Sequence, residues 1–146
     1  MDRREDVLQQ IARIARSSRD FFVAVYPGVN DAEIRTAFAY IGEVKTQLLA
    51  DLAPWVPQTE PDQADPISPA AIVAKMYTDA HKAFRHNVPA ASASALSFGE
   101  EQLLRLLERA FEESCVPALN EVLKSYHPQL VICREAMWRL HARQAA

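Results

Sequence analysis

From Leu119 to Leu140 the chain runs Leu119, Leu123, Tyr126, Leu130, Cys133, Met137 and Leu140, apolar side chains at alternating steps of four and three without a slip. Only an α-helix gathers such positions onto one face, and a seam this long is buried only against other helices. The spacing predicts a helix packed along its whole length in a bundle. Pro128 falls inside the run. It removes the backbone hydrogen bond to the carbonyl of Lys124 and predicts a kink, at about 3 kcal/mol where nothing compensates. His127, just before it, is placed to satisfy a freed carbonyl.

The same three-and-four spacing recurs upstream. Val7, Leu8, Ile11, Ile14, Ala15, Phe21, Phe22 and Val25 form one stripe, stopped at "YPGVN" by Pro27 and Gly28. Asn30 and Glu33 read as a capping box, with Val29 and Ile34 as its hydrophobic staple. A second helix then carries Ile34, Ala37, Phe38, Ile41, Val44, Leu48, Leu49 and Leu52 to the prolines of "APWVP". The acidic, Pro-rich stretch 57–68 reads as an extended surface linker within a single domain spanning 1–146. Ser68 caps and Pro69 opens a shorter helix with Ile72, Val73, Met76, Tyr77, Ala80 and Phe84. Pro89 to Ala95 reads as a flexible connection. Ser97 and Glu100 read as a second capping box, opening a helix on Leu103, Leu104, Leu107, Ala110 and Phe111. The expected fold is all-α: an antiparallel four-helix bundle with an additional short helix in the crossover between the second and third long helices.

Composition agrees with this class and narrows the function. With 3 Gly in 146 residues there is little material for tight hairpins. A net charge of -3 lacks the basic footprint that nucleic acid demands, and no run approaches the ~20 apolar residues that span a bilayer. "MDRREDVLQQ" holds no apolar signal region, so the expected location is cytoplasmic. Cys115 and Cys133, eighteen residues apart on one helix or its entrance, are about 27 Å from each other, too far to pair. They read as free thiols. A chain this long buries enough surface to fold without a metal.

The segments "DFFVAVYPGVNDAEIRTAFAYIGEVKTQLLADL", "AKMYTDAHKAF", "GEEQLLRLLERAFEE" and "VPALNEVLKSYHPQLVICREAMWRLHA" resemble, in order and length, small bacterial ferritin-like proteins of unknown function, distantly similar to rubrerythrin. That resemblance implies the bundle fold and raises the question of a di-iron centre, which such bundles build from a Glu on each of two helices and a Glu-x-x-His on each of the others. Here Glu43 is followed at the third position by Thr46, Glu121 by Lys124 and Glu135 by Trp138. Three residues before His81, His86, His127 and His141 stand Thr78, Ala83, Lys124 and Trp138. Aligned on the family, Cys133 takes the place of a histidine and Gln47 that of a glutamate. No metal or other cofactor is expected, and Glu43 reads as a rim charge beside Ile41, Val44 and Leu48.

The expectation is thus a non-enzymatic bundle with no catalytic residue, an apolar middle, and a role through protein contacts with a partner or a second copy. Trp55, Trp138 and Phe98, off the main seam, are the aromatic candidates for such contacts. The rival is a metal-dependent oxidase or metal-storage protein with a degenerate centre drawn from Asp20, Glu43, Glu100 and Cys133. A small-ligand pocket between helices is a third, weaker reading. His81 with Tyr77 and Arg85 shares one helical face and forms a possible polar cluster.

Overall fold

A computed structural model describes residues 3–56, 68–85 and 89–145, and these residues form five α-helices without a strand. They are α1 (Arg3–Val25), α2 (Ala32–Leu52), α3 (Pro69–Arg85), α4 (Pro89–Glu113) and α5 (Pro117–Ala145). No described helix is long and apolar enough to cross a membrane. The expected linker, apart from Ser68, lies outside the described residues.

Each long helix exists because its apolar stripe has somewhere to go. All eight stripe residues of α1 are buried, as are all seven of the α5 seam. α1 packs on α2, α2 on α5, α5 on α4 and α4 on α1, so these four close a circuit around one core. α3 lies against α1 and α4. Partners between helices fix their sense. Asp31 reaches Arg143 while Asp51 reaches Tyr126, and Ser97 reaches Met137 while Glu108 reaches His127. Numbers that rise on one helix fall on the other, so α5 runs antiparallel to both α2 and α4. α2 and α4 therefore run the same way, across the core from each other.

Helix ends depart from expectation in two places. Asp31, not Asn30, caps α2: its Oδ1 accepts the backbone N–H groups of Glu33 at 2.9 Å and Ile34 at 3.2 Å. A carboxylate at a helix N-terminus gains from the dipole as well as the hydrogen bonds. Its other oxygen holds Arg143 at 2.9 Å, and Glu33 also turns to Arg143 instead of closing a box. The guanidinium of Arg143 and the two N–H groups hold the Asp31 carboxyl below its ordinary range. The second departure is larger. α4 begins at Pro89, eight residues before Ser97. Alanine and serine in "PAASASA" are compatible with helix, and Pro89 suits a first position because its missing N–H has no helical partner there. The box at Ser97 and Glu100 is therefore mid-helix, and both side chains turn inward.

Ser68 caps α3 as expected, its Oγ accepting the N–H of Ala71 at 3.1 Å. α5 continues through Pro128. His127 does not cap a freed carbonyl; its Nε2 lies 3.0 Å from Glu108 Oε2 on α4.

Candidate functional site

The middle of the core is not apolar throughout. Lys45 on α2 and Glu100 on α4 are 0% and 1% exposed, and the Lys45 ammonium stands 2.8 Å from both carboxylate oxygens of Glu100. The pair bridges the core between two helices that are not neighbours. This corrects the expectation of a wholly apolar interior, and the reason is positional. Ile41, Lys45, Leu48 and Leu52 follow one buried stripe, as do Leu96, Glu100, Leu103 and Leu107. Each stripe carries one charge, of opposite sign, and a charge so deep persists only when paired.

Three further polar side chains lie on buried stripes around the pair: Ser18 on α1, Tyr77 on α3 and Cys133 on α5. Every helix thus contributes one member to a polar layer. Burial pushes the Cys133 thiol up to about 12; the Lys45 ammonium draws it down and the Glu100 carboxylate pushes it further up. Burial, with Glu100 near, also holds the Tyr77 phenol well above its ordinary value. The hydroxyls of Ser18 and Tyr77 face each other without a well-formed hydrogen bond among the described residues. The Tyr77 hydroxyl rests on the backbone of Gly99, where a Cβ would stand only 2.6 Å from it. Glycine at this helical position makes room for the tyrosine.

No family model, curated protein or solved structure matches the chain. The chemistry of the layer must be read from its own atoms.

A metal centre of the ferritin type does not fit these residues. Of the four candidates, the structure brings Glu100 and Cys133 into the core and leaves Asp20 and Glu43 exposed. Asp20 pairs with Arg19 at 3.0 Å, and Glu43 accepts from Gln47 at 2.8 Å. No group of three or more His, Cys, Asp or Glu gathers among the described residues. Glu100 already has both oxygens on an ammonium, which repels a second cation, and a thiol raised to about 12 stays protonated and ligates poorly. The layer has instead the features of an internal counter-ion site, with the cation tethered to the chain.

The remaining candidates sit elsewhere. Tyr77 turns into the core, while His81 lies half-buried and edge-on to Phe21 at 6.5 Å; the Arg85 side chain is outside the described residues. Trp55 is half-buried against the core. Trp138 and Phe98 are exposed, Trp138 with the Arg134 guanidinium 4.6 Å over its ring.

The two thiols have opposite environments, Cys115 exposed between α4 and α5 and Cys133 fully buried, and neither forms a disulfide. With Ellman's reagent at neutral pH, the native protein should release colour from Cys115 alone, and Cys133 should react only after denaturation. Alkali should destabilise the fold in a defined window. An unfolded thiol loses its proton near 9.0 and the folded Cys133 near 12, so the unfolded chain gains ionisation first. The Cys133 contribution to stability is therefore unchanged below pH 9 and declines as the pH rises from there to about 12. Urea unfolding of the wild type and a Cys133→Ala variant across this range measures it: the slope should be shallower in the variant.

Proposed function

We propose that the chain is a cytoplasmic, ferritin-like four-helix bundle of α1, α2, α4 and α5, with α3 as an extra helix, which holds no metal centre and works through protein contacts as a homo-oligomer. The observation that carries this reading is the occupation of both Glu100 oxygens by the Lys45 ammonium. A bundle whose one interior carboxylate among the described residues is neutralised from within offers no open carboxylate to a redox metal there. The circuit of four packed helices, with α3 laid against two of them, supports the architecture. Two free cysteines support a reducing compartment. Function then rests with the outer faces, where Tyr40, Phe98, Ile132 and Trp138 remain exposed.

Elemental analysis of protein purified without chelator, paired with light scattering, tests the reading. The expected result is far less than stoichiometric iron, manganese or zinc and a mass that is a multiple of the single chain. Stoichiometric metal in a monomer would overturn it.

A further inference from the structure

We propose that the homo-oligomer is a twofold dimer built on the α4–α5 face, with its axis running along the groove between the two helices. The inference rests on the reading that the chain self-associates and adds which surface does so. Outside its buried seam, each of these helices carries a second stripe at steps of three and four, a spacing that holds it to one helix face. On α4 the stripe is Phe98, Glu101, Arg105, Glu108 and Glu112; on α5 it is Lys124, His127, Val131, Arg134 and Trp138. None of these side chains is buried.

Three contacts between the helices fix which residues stand level. Ser97 reaches Met137, Glu101 reaches Arg134 and Glu108 reaches His127. The same antiparallel register sets Phe98 level with Trp138 and Glu112 level with Lys124. Phe98 and Trp138 are 38% and 48% exposed. Glu112 and Lys124 line one groove of about 560 Å³, together with the apolar Leu107, Phe111 and Pro128, and neither makes an ion pair among the described residues. The face thus carries aromatic beside aromatic at one end and acid beside base at three further levels, with the acid always on α4.

That arrangement complements itself about one axis. A twofold parallel to the helices lays α4 of each copy on α5 of the other and keeps every level. Phe98 then meets Trp138 of the second copy, and Glu112 meets its Lys124, which supplies the opposite charge that each lacks at home. Glu101 with Arg134 and Glu108 with His127 become alternating sets of four, while Arg105, held by Glu101 of its own chain, faces Val131. A twofold set across the helices would instead lay α4 on α4 and press Phe98 onto Glu112, so the pattern selects the first axis. It also selects a second copy, since an unrelated apolar helix answers none of the charges. α4 and α5 are 25 and 29 residues long and side by side offer a face of roughly 36 by 20 Å, against about 800 Å² per partner in a standard interface.

Sedimentation equilibrium of the full chain tests the surface, with circular dichroism to verify that each variant folds. Trp138→Ala should weaken the dimer by about 30-fold or more. Glu112→Lys and Lys124→Glu should each weaken it by about 10-fold, because each sets like charges opposite one another at both ends of the symmetric contact. An equimolar mixture of these two single variants should dimerise with near the wild-type constant, since in the mixed dimer both pairs are again acid on base; contacts within one copy cannot produce that rescue. Ile132→Ala, on the α2 side of α5, should leave the constant unchanged. A dimer indifferent to Trp138→Ala, or a mixture no tighter than its components, would overturn this surface while leaving self-association standing. A wild type that is monomeric at tens of micromolar would overturn both.

Discussion

Replacing Lys45 by methionine should lower the free energy of unfolding by about 3–5 kcal/mol, since it leaves the Glu100 carboxylate buried without a counter-charge. The loss is that of an orphaned ion and not of a favourable bond. Taking both ions from water costs several kcal/mol each, and their attraction in the interior repays this only because the geometry is good, with Nζ 2.8 Å from both oxygens. Glu100→Gln should cost a similar amount by stranding the ammonium. The double variant Lys45→Met, Glu100→Leu should recover most of the loss and match or exceed the wild type, because two apolar side chains of similar volume need no partner. Urea unfolding of the four proteins gives a double-mutant cycle. A coupling below about 0.5 kcal/mol would mean that the pair is not buried and joined as described.

Phe22→Ala should be the costliest single truncation in the apolar core, at about 3–5 kcal/mol. Phe22 is 1% exposed. Its ring meets those of Phe21, Phe38 and Tyr77 edge-on, at centroid distances of 5.0, 4.8 and 6.3 Å, so three helices share it. Those rings are held by their own helices and cannot collapse into the space, which makes the cavity part of the cost large. The neighbouring Val23, exposed to solvent at 64%, serves as the control, and Val23→Ala should change stability by under about 0.5 kcal/mol. Thermal unfolding should place Phe22→Ala about 10 °C below the wild type. A loss near 1 kcal/mol would show that the aromatic cluster is loosely packed.

Most of the helical frame was legible in residue order alone, because apolar periodicity reports directly on the face that a helix buries. The α1 stripe and the α5 seam appear in the core residue for residue. What the periodicity left out were the positions where a polar residue occupies an apolar place. Lys45 sits one helical turn after Ile41 and Glu100 one turn after Leu96. A lysine or glutamate there reads as the edge of the stripe unless its partner is known, and fifty-five residues separate the two. A signal did exist: two opposite charges, each interrupting an apolar stripe at the i+4 step. Glu100 was further hidden by its spacing from Ser97, which imitates a capping box. The true start at Pro89 was obscured by a run of alanine and serine that suits helix and loop alike.

The polar layer also bears on how the fold selects its arrangement. Apolar faces slide past one another at little cost, whereas a buried charge accepts one register only. Lys45 and Glu100 meet across the core from helices that are not neighbours, so the pair sets the height of α2 against α4 directly. Tyr77 adds α3 to the same layer through its seat on Gly99. By this reasoning the double apolar variant discussed above keeps its stability and loses some of its uniqueness, visible as broadened side-chain resonances.

The central claim is that the interior cation is the Lys45 ammonium, and nitrogen-15 resonances of the lysine side chains test it most directly. A tethered, buried ammonium held by a carboxylate exchanges its protons slowly. The account predicts one protected lysine Nζ signal at neutral pH, absent from Lys45→Met, altered in Glu100→Gln, and indifferent to chelator or added divalent metal. An unprotected Lys45, or a signal that broadens or shifts when manganese or zinc is added in stoichiometric amount, would contradict it.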